Sequence, residues 1–265
     1  MPKMIVAPDL CNGCYACYSV CSAKAIAMVP DEEGFRQPVI DQSLCTKCGA
    51  CLRVCPVLKE GEKRKGSGEL FEAYAAINRD DAVRMKSSSG GLFTLFAQEI
   101  LKRGGVVFGA VLDDQLRAVH RYTEDEEGLA PMRGSKYLQS SIGESLVEVR
   151  NFLRADRWVL FSGTPCQIGG LVSFLGDREY PKLLLVDIIC HGVPSPLTWE
   201  RYLEEQKEEL KEELTCASFR EKSRGWREFS LHVKGEEKNR TNSLKVDSYL
   251  RLFLSNTGLR QSCYQ

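Results

Sequence analysis

Runs of apolar residues separated by polar turns predict two β-hairpins in this chain. Residues 25–29 and 36–40 are short strand-like runs around an acidic turn, and residues 106–112 and 118–122 repeat this arrangement around a pair of aspartates. Runs of this length, bounded by turn residues, are typical of paired strands. The first hairpin falls between two groups of cysteines, and the second falls in the longer C-terminal part.

A helical pattern of apolar residues follows the serine- and glycine-rich loop at residues 87–91. Five apolar side chains are predicted to share one face of this helix, namely Leu92, Leu95, Phe96, Ile100 and Leu101. Ser89 is the predicted N-cap, and Gly104 and Gly105 are the predicted end. The N-terminus of such a helix presents free N–H groups to an anion such as a cofactor phosphate. A capped helix beside a glycine loop is the simpler interpretation.

Three strand–loop–helix units are predicted in the C-terminal part. A strand-like run at 73–77 leads into the helix just described, a buried type of strand at 157–161 precedes a second helix, and the apolar run 183–190 precedes a third helix at 196–214. Such units place their loops at the carboxyl ends of the strands, which is the usual position of a cofactor. The loop at 133–140 adds donors that suit a phosphate.

Composition and charge exclude several classes of protein. The 265 residues contain 36 Lys and Arg against 36 Asp and Glu, so no basic excess is available to neutralise a nucleic-acid backbone. No apolar run reaches the 18 or so residues of a membrane span, and the segment before the first cysteine is too short for a signal peptide. We therefore expect a soluble, cytoplasmic protein made of a small unit and a larger one.

Twelve cysteines are present, and eight of them form two identical C-x2-C-x2-C-x3-C runs between residues 11 and 55. In this pattern three thiolates of one run bind one 4Fe-4S cluster, while the fourth cysteine reaches the other cluster. The spacing therefore predicts a first cluster on Cys11, Cys14, Cys17 and Cys55, and a second cluster on Cys45, Cys48, Cys51 and Cys21. Structural zinc and disulfides are less favoured, because neither explains the third and fourth cysteine of each run.

The remaining cysteines and histidines give weaker signals. Thr164 is predicted to cap a helix that begins at Pro165, so Cys166 would lie in the first turn, where the helix dipole lowers the pKa of a thiol. Cys166 could be a cluster ligand, a reactive thiol, a flavin neighbour or a small buried side chain. His120 is predicted to be a surface residue on a strand rather than a ligand, and Cys216 is predicted to be structural.

Four motifs occur in order behind the cysteine runs: Ser88-Ser89-Gly90-Gly91, Arg133-Gly134-Ser135-Lys136-Tyr137, Gly163-Thr164-Pro165-Cys166-Gln167 and Cys190-His191-Gly192-Val193-Pro194-Ser195. With this order the chain resembles the coenzyme F420 hydrogenase/dehydrogenase beta-subunit family. The resemblance implies a bound FAD, with a flavin site lined by Ser89, Gly90, Gly91, Ser135, Lys136, Gly163 and Thr164. It places Cys166 beside the flavin or makes it an extra ligand.

The fold expected from these features is α+β, with a two-cluster ferredoxin-like domain at residues 1–58, a linker at 59–68 and a larger mixed α/β flavin-binding domain at 69–265. The family's second domain continues past the last residue of this chain, so the resemblance implies that the second domain is incomplete.

We expect a metal-binding iron–sulfur flavoprotein oxidoreductase of electron transport. It would relay single electrons through two 4Fe-4S clusters to FAD, for the two-electron reduction or oxidation of a deazaflavin or another small-molecule acceptor. Its expected partner is a redox protein, either a ferredoxin or a hydrogenase or dehydrogenase subunit. The alternatives are a non-catalytic ferredoxin-type carrier that docks to a partner oxidoreductase, and an inactive remnant. The donor, the acceptor and the direction of electron flow remain open.

Overall fold

The computed structural model describes residues 5–59 and 72–264. Its first unit holds two short helices around one hairpin, and the hairpin predicted at 25–40 is confirmed. Strand β1 pairs antiparallel with strand β2, from Ile26 opposite Ile40 to Pro30 opposite Arg36. The elements of this unit are α1 (Ala16–Val20), β1 (Ile26–Pro30), β2 (Arg36–Ile40) and α2 (Ala50–Val54). Each helix begins within a cysteine run, so the runs form the two ends of the unit.

A four-stranded mixed sheet forms the centre of the second unit, with the strand order β4-β3-β5-β6. Strands β3 and β4 form the second predicted hairpin, while β3, β5 and β6 run parallel to one another. The elements from the end of the first unit to this sheet are α3 (Asp81–Met85), α4 (Leu92–Lys102), β3 (Val106–Leu112), β4 (Ala118–Thr123), α5 (Ser145–Arg154), β5 (Val159–Gly163), α6 (Pro165–Leu175) and β6 (Leu183–Asp187).

A three-stranded antiparallel sheet with the order β7-β8-β9 completes the second unit. Its elements are α7 (Pro196–Leu210), β7 (Cys216–Glu221), β8 (Ser230–Lys234), β9 (Asn239–Ser243) and α8 (Ser248–Leu254). A core of aromatic and aliphatic side chains packs under it, with Trp199 stacked on Tyr202 and in contact with Phe219 and Tyr249. This sheet therefore has a core of its own beside that of the four-stranded sheet.

The largest core joins the two units. Phe108 and Phe161 from the central sheet are fully buried, and so is Leu171 from α6. The same core includes Cys14 and Ala16 of the first cysteine run. Burial of one large apolar side chain contributes about 1.5–3 kcal/mol, so this shared core fixes the first unit on the second.

Several sequence expectations for the second unit are wrong. Residues 73–77 form no strand, and the backbone N–H of the following Asn78 donates to the oxygen of Gly90 at 2.7 Å. Two strand–loop–helix units, β5–α6 and β6–α7, therefore replace the three expected among the described residues. Helix α7 ends at Leu210 rather than 214, because Lys211 has a left-handed backbone with φ of 57°.

Helix α4 begins and ends near its predicted bounds but differs at its cap and on its buried face. Gly91, with φ of 78°, is the N-cap instead of Ser89. The buried side of the helix consists of Thr94, Ala97 and Ile100, whereas Leu95 and Phe96 are exposed. The small side chains of Thr94 and Ala97 let the helix pack closely on the sheet. This packing, rather than the pattern of apolar residues, determines which face of α4 is buried.

The predicted linker at 59–68 falls outside the described residues except for Lys59, which ends a short 3-10 turn. No helix among the described residues is long and apolar enough to cross a membrane. The structure therefore presents a mixed α/β protein with a ferredoxin-like unit at its N-terminus.

Candidate functional site

The first unit contains two cavities, each lined by four cysteines. The first cavity is lined by Cys11, Cys14, Cys17 and Cys55 together with apolar residues such as Ile5 and Met28. The second is lined by Cys21, Cys45, Cys48 and Cys51. Each set takes three cysteines from one run and one from the other, which is the division expected of a two-cluster ferredoxin.

The two cysteine loops share one backbone conformation. Gly13 and Lys47 occupy matching positions between the first and second cysteines of their runs, with φ of 66° and 59°. Tyr15 and Gly49 match in the same way, with φ of 64° and 73°, and each is the N-cap of the helix that follows. These left-handed residues turn the chain so that three cysteines of each run face a common space.

The donor chemistry of both cavities fits an iron–sulfur cluster. Four cysteine sulfurs surround each space, and in a 4Fe-4S cluster each thiolate binds a different iron. Among residues 5–59 and 72–264, no three His, Cys, Asp or Glu side chains form a group that could hold one metal ion. The sulfurs thus encircle a volume, which is the arrangement that a cluster requires.

The thiols of the two cavities differ in electrostatic surroundings. Burial raises the pKa of Cys14 to about 12, and it raises the pKa of Cys17 as well. The pKa of the exposed Cys48 is instead lowered, chiefly by a hydrogen bond from the backbone N–H of Ala50. Metal binding removes the thiol proton, so the metal must supply more of the charge stabilisation in the first cavity than in the second.

The first cavity lies against the second unit. Helix α6 approaches so closely that a Cβ on Gly170 would stand 2.7 Å from the Cβ of Cys14. The second unit also holds this cysteine loop by hydrogen bonds from two polar side chains. Gln139 donates to the carbonyl oxygen of Asn12 at 3.0 Å, and the hydroxyls of Tyr15 and Ser141 lie 2.9 Å apart.

The structure brings together two of the segments predicted to line the flavin site. The hydroxyl of Ser88 accepts from the backbone N–H and the hydroxyl of Ser135, which joins the loop containing Ser89, Gly90 and Gly91 to the loop containing Lys136. Lys222, which the sequence did not single out, is buried and donates to the carbonyl oxygens of Arg84 and Ser87. It therefore fixes the start of the loop at 87–91.

The Lys136 ammonium and the N–H groups at the N-terminus of α4 are suited to binding an anion. The Lys136 ammonium donates to the carbonyl oxygens of Pro131 and Arg133 at 2.6 and 2.9 Å. None of the ion pairs among the described residues includes it. Burial lowers the pKa of Lys136 to about 7. At the start of α4 the cap Gly91 offers no side-chain cap bond, so N–H groups remain for an anion.

Gly163 and Thr164 lie where β5 passes into α6, as expected from the sequence. Thr164 forms a capping box with Gln167, and Pro165 occupies the first turn. The predicted lowering of the Cys166 pKa is wrong: burial of this thiol raises its pKa. The thiols of Cys190 and Cys263 raise it further, and Cys166 in turn acts on Cys14. Cys166 therefore stands among other thiols beside the first cavity.

His120 is buried, so the prediction of a surface residue is wrong. Its ring stacks on Phe161 with centroids 5.2 Å apart, Nδ1 lies 2.9 Å from the hydroxyl of Ser140, and Nε2 lies 3.0 Å from the oxygen of Ser162. Burial lowers its pKa to about 4. Gln167 also donates to the Ser140 hydroxyl at 2.9 Å. The strand pattern could not reveal this, because the face of β4 that carries His120 is covered by the segment around Ser140.

The sequence reasoning missed two further residues of the site, Gln139 and Arg260. Gln139 lies in the loop at 133–140, two residues after the motif that ends at Tyr137. Arg260 is near the end of the sequence, and its side chain reaches the oxygen of Cys11. No local pattern marks either residue, because both act across a long sequence separation.

Comparison with known proteins gives matches over both units. Residues 10–58 match the family model described as "4Fe-4S dicluster domain", and a second dicluster model matches residues 37–89. Residues 156–265 match the model for the C terminus of the beta subunit of coenzyme F420 hydrogenase/dehydrogenase. The resemblance to the coenzyme F420 hydrogenase/dehydrogenase beta-subunit family is confirmed. The match to the beta-subunit model includes β5, β6 and the three-stranded sheet, and it contains Cys166, Cys190 and Cys263.

Relatives of this protein include two archaeal proteins. The chain is 22% identical over 200 residues to the F subunit of F(420)H(2) dehydrogenase from Methanosarcina mazei, a match that covers 71% of this chain and 56% of the relative. It is 27% identical over 169 residues to coenzyme F420-dependent sulfite reductase of Methanocaldococcus jannaschii, covering 63% of this chain and 25% of the relative. The chain thus spans about half the length of the first relative and a quarter of the length of the second.

A solved structure of the F420-reducing [NiFe] hydrogenase complex from Methanosarcina barkeri is also similar. The match has 17% identity and a TM-score of 0.43, and it covers 64% of this chain and 59% of the other.

Proposed function

We propose that this protein is an iron–sulfur flavoprotein oxidoreductase. It relays single electrons between two 4Fe-4S clusters and FAD, for the two-electron reduction or oxidation of a small acceptor. The observation that carries the proposal is the division of eight cysteines between two cavities, one of which is packed against the second unit. The matches to a dicluster domain and to the beta-subunit family support the same class of protein.

The route of electrons follows from the burial of the two cavities. Cys48 is exposed, whereas Cys11, Cys14 and Cys55 are buried. A redox protein can therefore approach the second cluster, and the first cluster connects it to the second unit. Cys166 lies beyond Cys14 on this route with two further thiols. This placement favours a role as an extra ligand over a role as a flavin neighbour.

FAD is proposed for the loops that contain Ser89, Gly90, Gly91, Ser135, Lys136, Gly163 and Thr164. The half-buried Lys136, which has hydrogen bonds to carbonyl oxygens but no carboxylate partner among the described residues, suits a phosphate. The free N–H groups at the start of α4 suit a second one. The flavin would supply the conversion between single electrons and electron pairs.

The substrate is proposed to be a deazaflavin or another two-electron acceptor. The names of both archaeal relatives contain F420, and one of them belongs to a dehydrogenase. By this likeness the protein would also work with a partner, either a ferredoxin or a hydrogenase or dehydrogenase subunit. The exposed edge of the second cavity is where that partner would dock.

An anaerobic cofactor inventory tests the proposal. We expect about eight irons and eight acid-labile sulfides per chain, because two cubanes contain that many. We also expect about one FAD per chain in the supernatant after acid release. The variant Lys136→Met should lower the flavin content several-fold and leave the iron content unchanged, because it removes a phosphate-binding charge that lines neither cysteine cavity.

Lys245→Met is the matched control, since Lys245 is an exposed lysine whose ion-pair partner among the described residues is Glu228. It should leave both iron and flavin unchanged. Eight irons without flavin in the wild-type protein would make it a ferredoxin-type carrier instead. An iron content far below about eight per chain would show that the cavities do not hold two 4Fe-4S clusters, and the proposed function would then be wrong.

A further inference from the structure

Arg260 is an arginine of the second unit whose side chain is buried against the ferredoxin-like unit. Only 2% of its surface is exposed. Its backbone is fixed as well, because its N–H donates to the oxygen of Val193 at 2.8 Å and the preceding Leu259 forms an antiparallel bridge with Pro194. The guanidinium is therefore held at a defined position.

All three nitrogens of the guanidinium make hydrogen bonds. Nε donates to the oxygen of Cys11 at 2.6 Å, and Nη2 donates to the oxygen of Arg36 at 3.1 Å. Nη1 donates to Oε1 of Gln139 at 2.8 Å. The group also lies over the ring of Phe35, with Cζ 5.3 Å from its centroid. Two of the three acceptors belong to the first unit, and one of these is a cysteine of the first cavity.

No carboxylate of the described residues pairs with this charge. Within residues 5–59 and 72–264, Arg260 takes part in none of the ion pairs. Taking a cation out of water costs several kcal/mol unless an opposite charge or strong hydrogen bonds offset this cost. Neutral oxygens offset part of the cost. The guanidinium lies against the cysteine loop of the first cavity, whose thiols become anionic on metal binding, and its charge also acts on the thiol of Cys263.

The second cavity has an arginine of a different kind. Nη1 of Arg53 donates to the oxygen of Cys48 at 3.0 Å, so it also contacts a ligand loop. Arg53 is exposed, and water screens its charge. The two cavities therefore differ in having one buried and one solvated cation beside a cysteine carbonyl.

We propose that Arg260 is the counter-cation of the first cluster and raises its reduction potential above that of the second. The inference rests on the proposed function, in which both cavities hold 4Fe-4S clusters. The net charge and the burial of a cluster set its potential, and a nearby buried cation favours the reduced, more negative form. An electron supplied by a redox protein to the second cluster then passes to the first, which oxidises the second cluster and reduces the first. Arg260 is a positioning residue in this transfer.

Anaerobic redox titration of the holoprotein, followed by electron paramagnetic resonance, tests the proposal. The wild-type protein should show two reduction steps. In Arg260→Gln the higher-potential step should shift downward towards the other, because the charge is lost. Arg260→Lys should retain most of the wild-type separation, because it keeps the charge. Arg53→Gln is the matched comparison for the second cavity and should shift the lower-potential step by less than Arg260→Gln shifts the higher one, because water screens the exposed Arg53.

A second variant offsets the positive charge of Arg260 and keeps the arginine itself. Gln139→Glu places a carboxylate against Nη1 of Arg260 and should also lower the higher-potential step, even if Arg260→Gln fails to fold. Iron and sulfide are counted in every sample, and about eight irons in the wild type establish the clusters independently. Unchanged steps at full iron content in Gln139→Glu, or in Arg260→Gln where that variant folds, would overturn the role of Arg260 and leave the proposed function intact.

Discussion

The two cysteine-lined cavities are built by the same sequence pattern but lie in different surroundings. Three cysteines of the first cavity are buried, namely Cys11, Cys14 and Cys55, while Cys48 of the second is exposed. The first cavity shares a core with the central sheet and has a buried arginine beside it. Equal ligand spacing therefore specifies two cluster sites with unequal solvation, and solvation is one of the factors that set a cluster's potential.

The two cysteine loops carry different residues at matching positions. Gly13 and Lys47 both adopt positive φ, a conformation that costs a residue with a side chain roughly 1–2 kcal/mol. The exposed loop tolerates a lysine there. In the docked loop a Cβ on Gly13 would lie 2.8 Å from Nε2 of Gln139 and 3.0 Å from Nη1 of Arg260. The docked loop thus needs glycine for space as well as for backbone freedom.

The largest effect expected from this contrast is on cluster content and folding. Cys14→Ser and Cys48→Ser should each remove one cluster, which lowers iron by about half, or about four irons per chain. Only Cys14→Ser should also destabilise the second unit, by roughly 1–3 kcal/mol, because it puts a hydroxyl into the shared core beside Gly170. Iron analysis and thermal unfolding measured by circular dichroism check both effects.

Cys48→Ser is the matched control for this comparison, since it changes the same chemical group at the equivalent position of an exposed loop. Equal losses of thermal stability in the two variants would show that docking on the second unit does not distinguish the cavities. An unchanged iron content in either variant would remove that cysteine from the set of ligands.

The next largest difference between the cavities is expected at low pH. His120 contacts the segment that holds the cysteine loop of the first cavity and, among the described residues, makes no such contact with the second. His120 contacts Ser140, which lies between Gln139 and Ser141, the two residues that hold the first cysteine loop. The pKa of His120 falls from its ordinary value of 6.5 to about 4 in the folded protein. The unfolded chain therefore binds the proton first, so stability is complete above about pH 6.5 and falls as the pH drops towards 4. The loss at pH 4 should be roughly 3 kcal/mol.

His120→Gln isolates this contribution from the acid lability of the clusters themselves, because glutamine can keep hydrogen bonds to Ser140 and Ser162 without titrating in this range. The difference in melting temperature between wild type and variant should change sign or shrink as the pH falls from 7 to 5. A difference that stays constant over this interval would exclude His120 as the acid-sensitive support.

Much of this arrangement could be predicted from the sequence, because local patterns determine it. The two hairpins, the start of α6 at Pro165 and the division of cysteines between the cavities follow from alternation, capping chemistry and spacing. These features depend on residues that are close together in the chain. The ends of the strands are located less well: the strand predicted at 157–161 lies at Val159–Gly163, and the run predicted to reach residue 190 ends as a strand at Asp187.

The rest depends on contacts between distant segments. Arg260 and Cys11 are separated by nearly the whole chain, and nothing near either residue marks the pair. His120 is predicted at the surface of its strand, yet the segment around Ser140 covers that face. The pKa of Cys166 is raised rather than lowered, because other parts of the fold bury this thiol. Tertiary packing decides each of these cases, and a single sequence does not encode it locally.

The smallest and most selective effect is the difference expected between alanine variants of two loop glycines. Gly13→Ala and Gly49→Ala both introduce a side chain at positive φ, so both should lose roughly 1–2 kcal/mol of stability. Only Gly13→Ala also places its Cβ against Gln139 and Arg260, which are held by other contacts. Overpacking of this kind costs typically about 1–3 kcal/mol more. Thermal unfolding of the holoproteins measures the difference between the two variants.

Gly49→Ala is the control that shares the backbone strain, because the group that its Cβ would meet among the described residues is the end of the flexible Arg53 side chain at 3.1 Å. The reduction potential of the first cluster should move with the docking contact in Gly13→Ala and stay fixed in Gly49→Ala. If the two alanine variants lose equal stability and leave both potentials unchanged, then the close approach of the second unit to the first cavity does not determine how the two clusters differ.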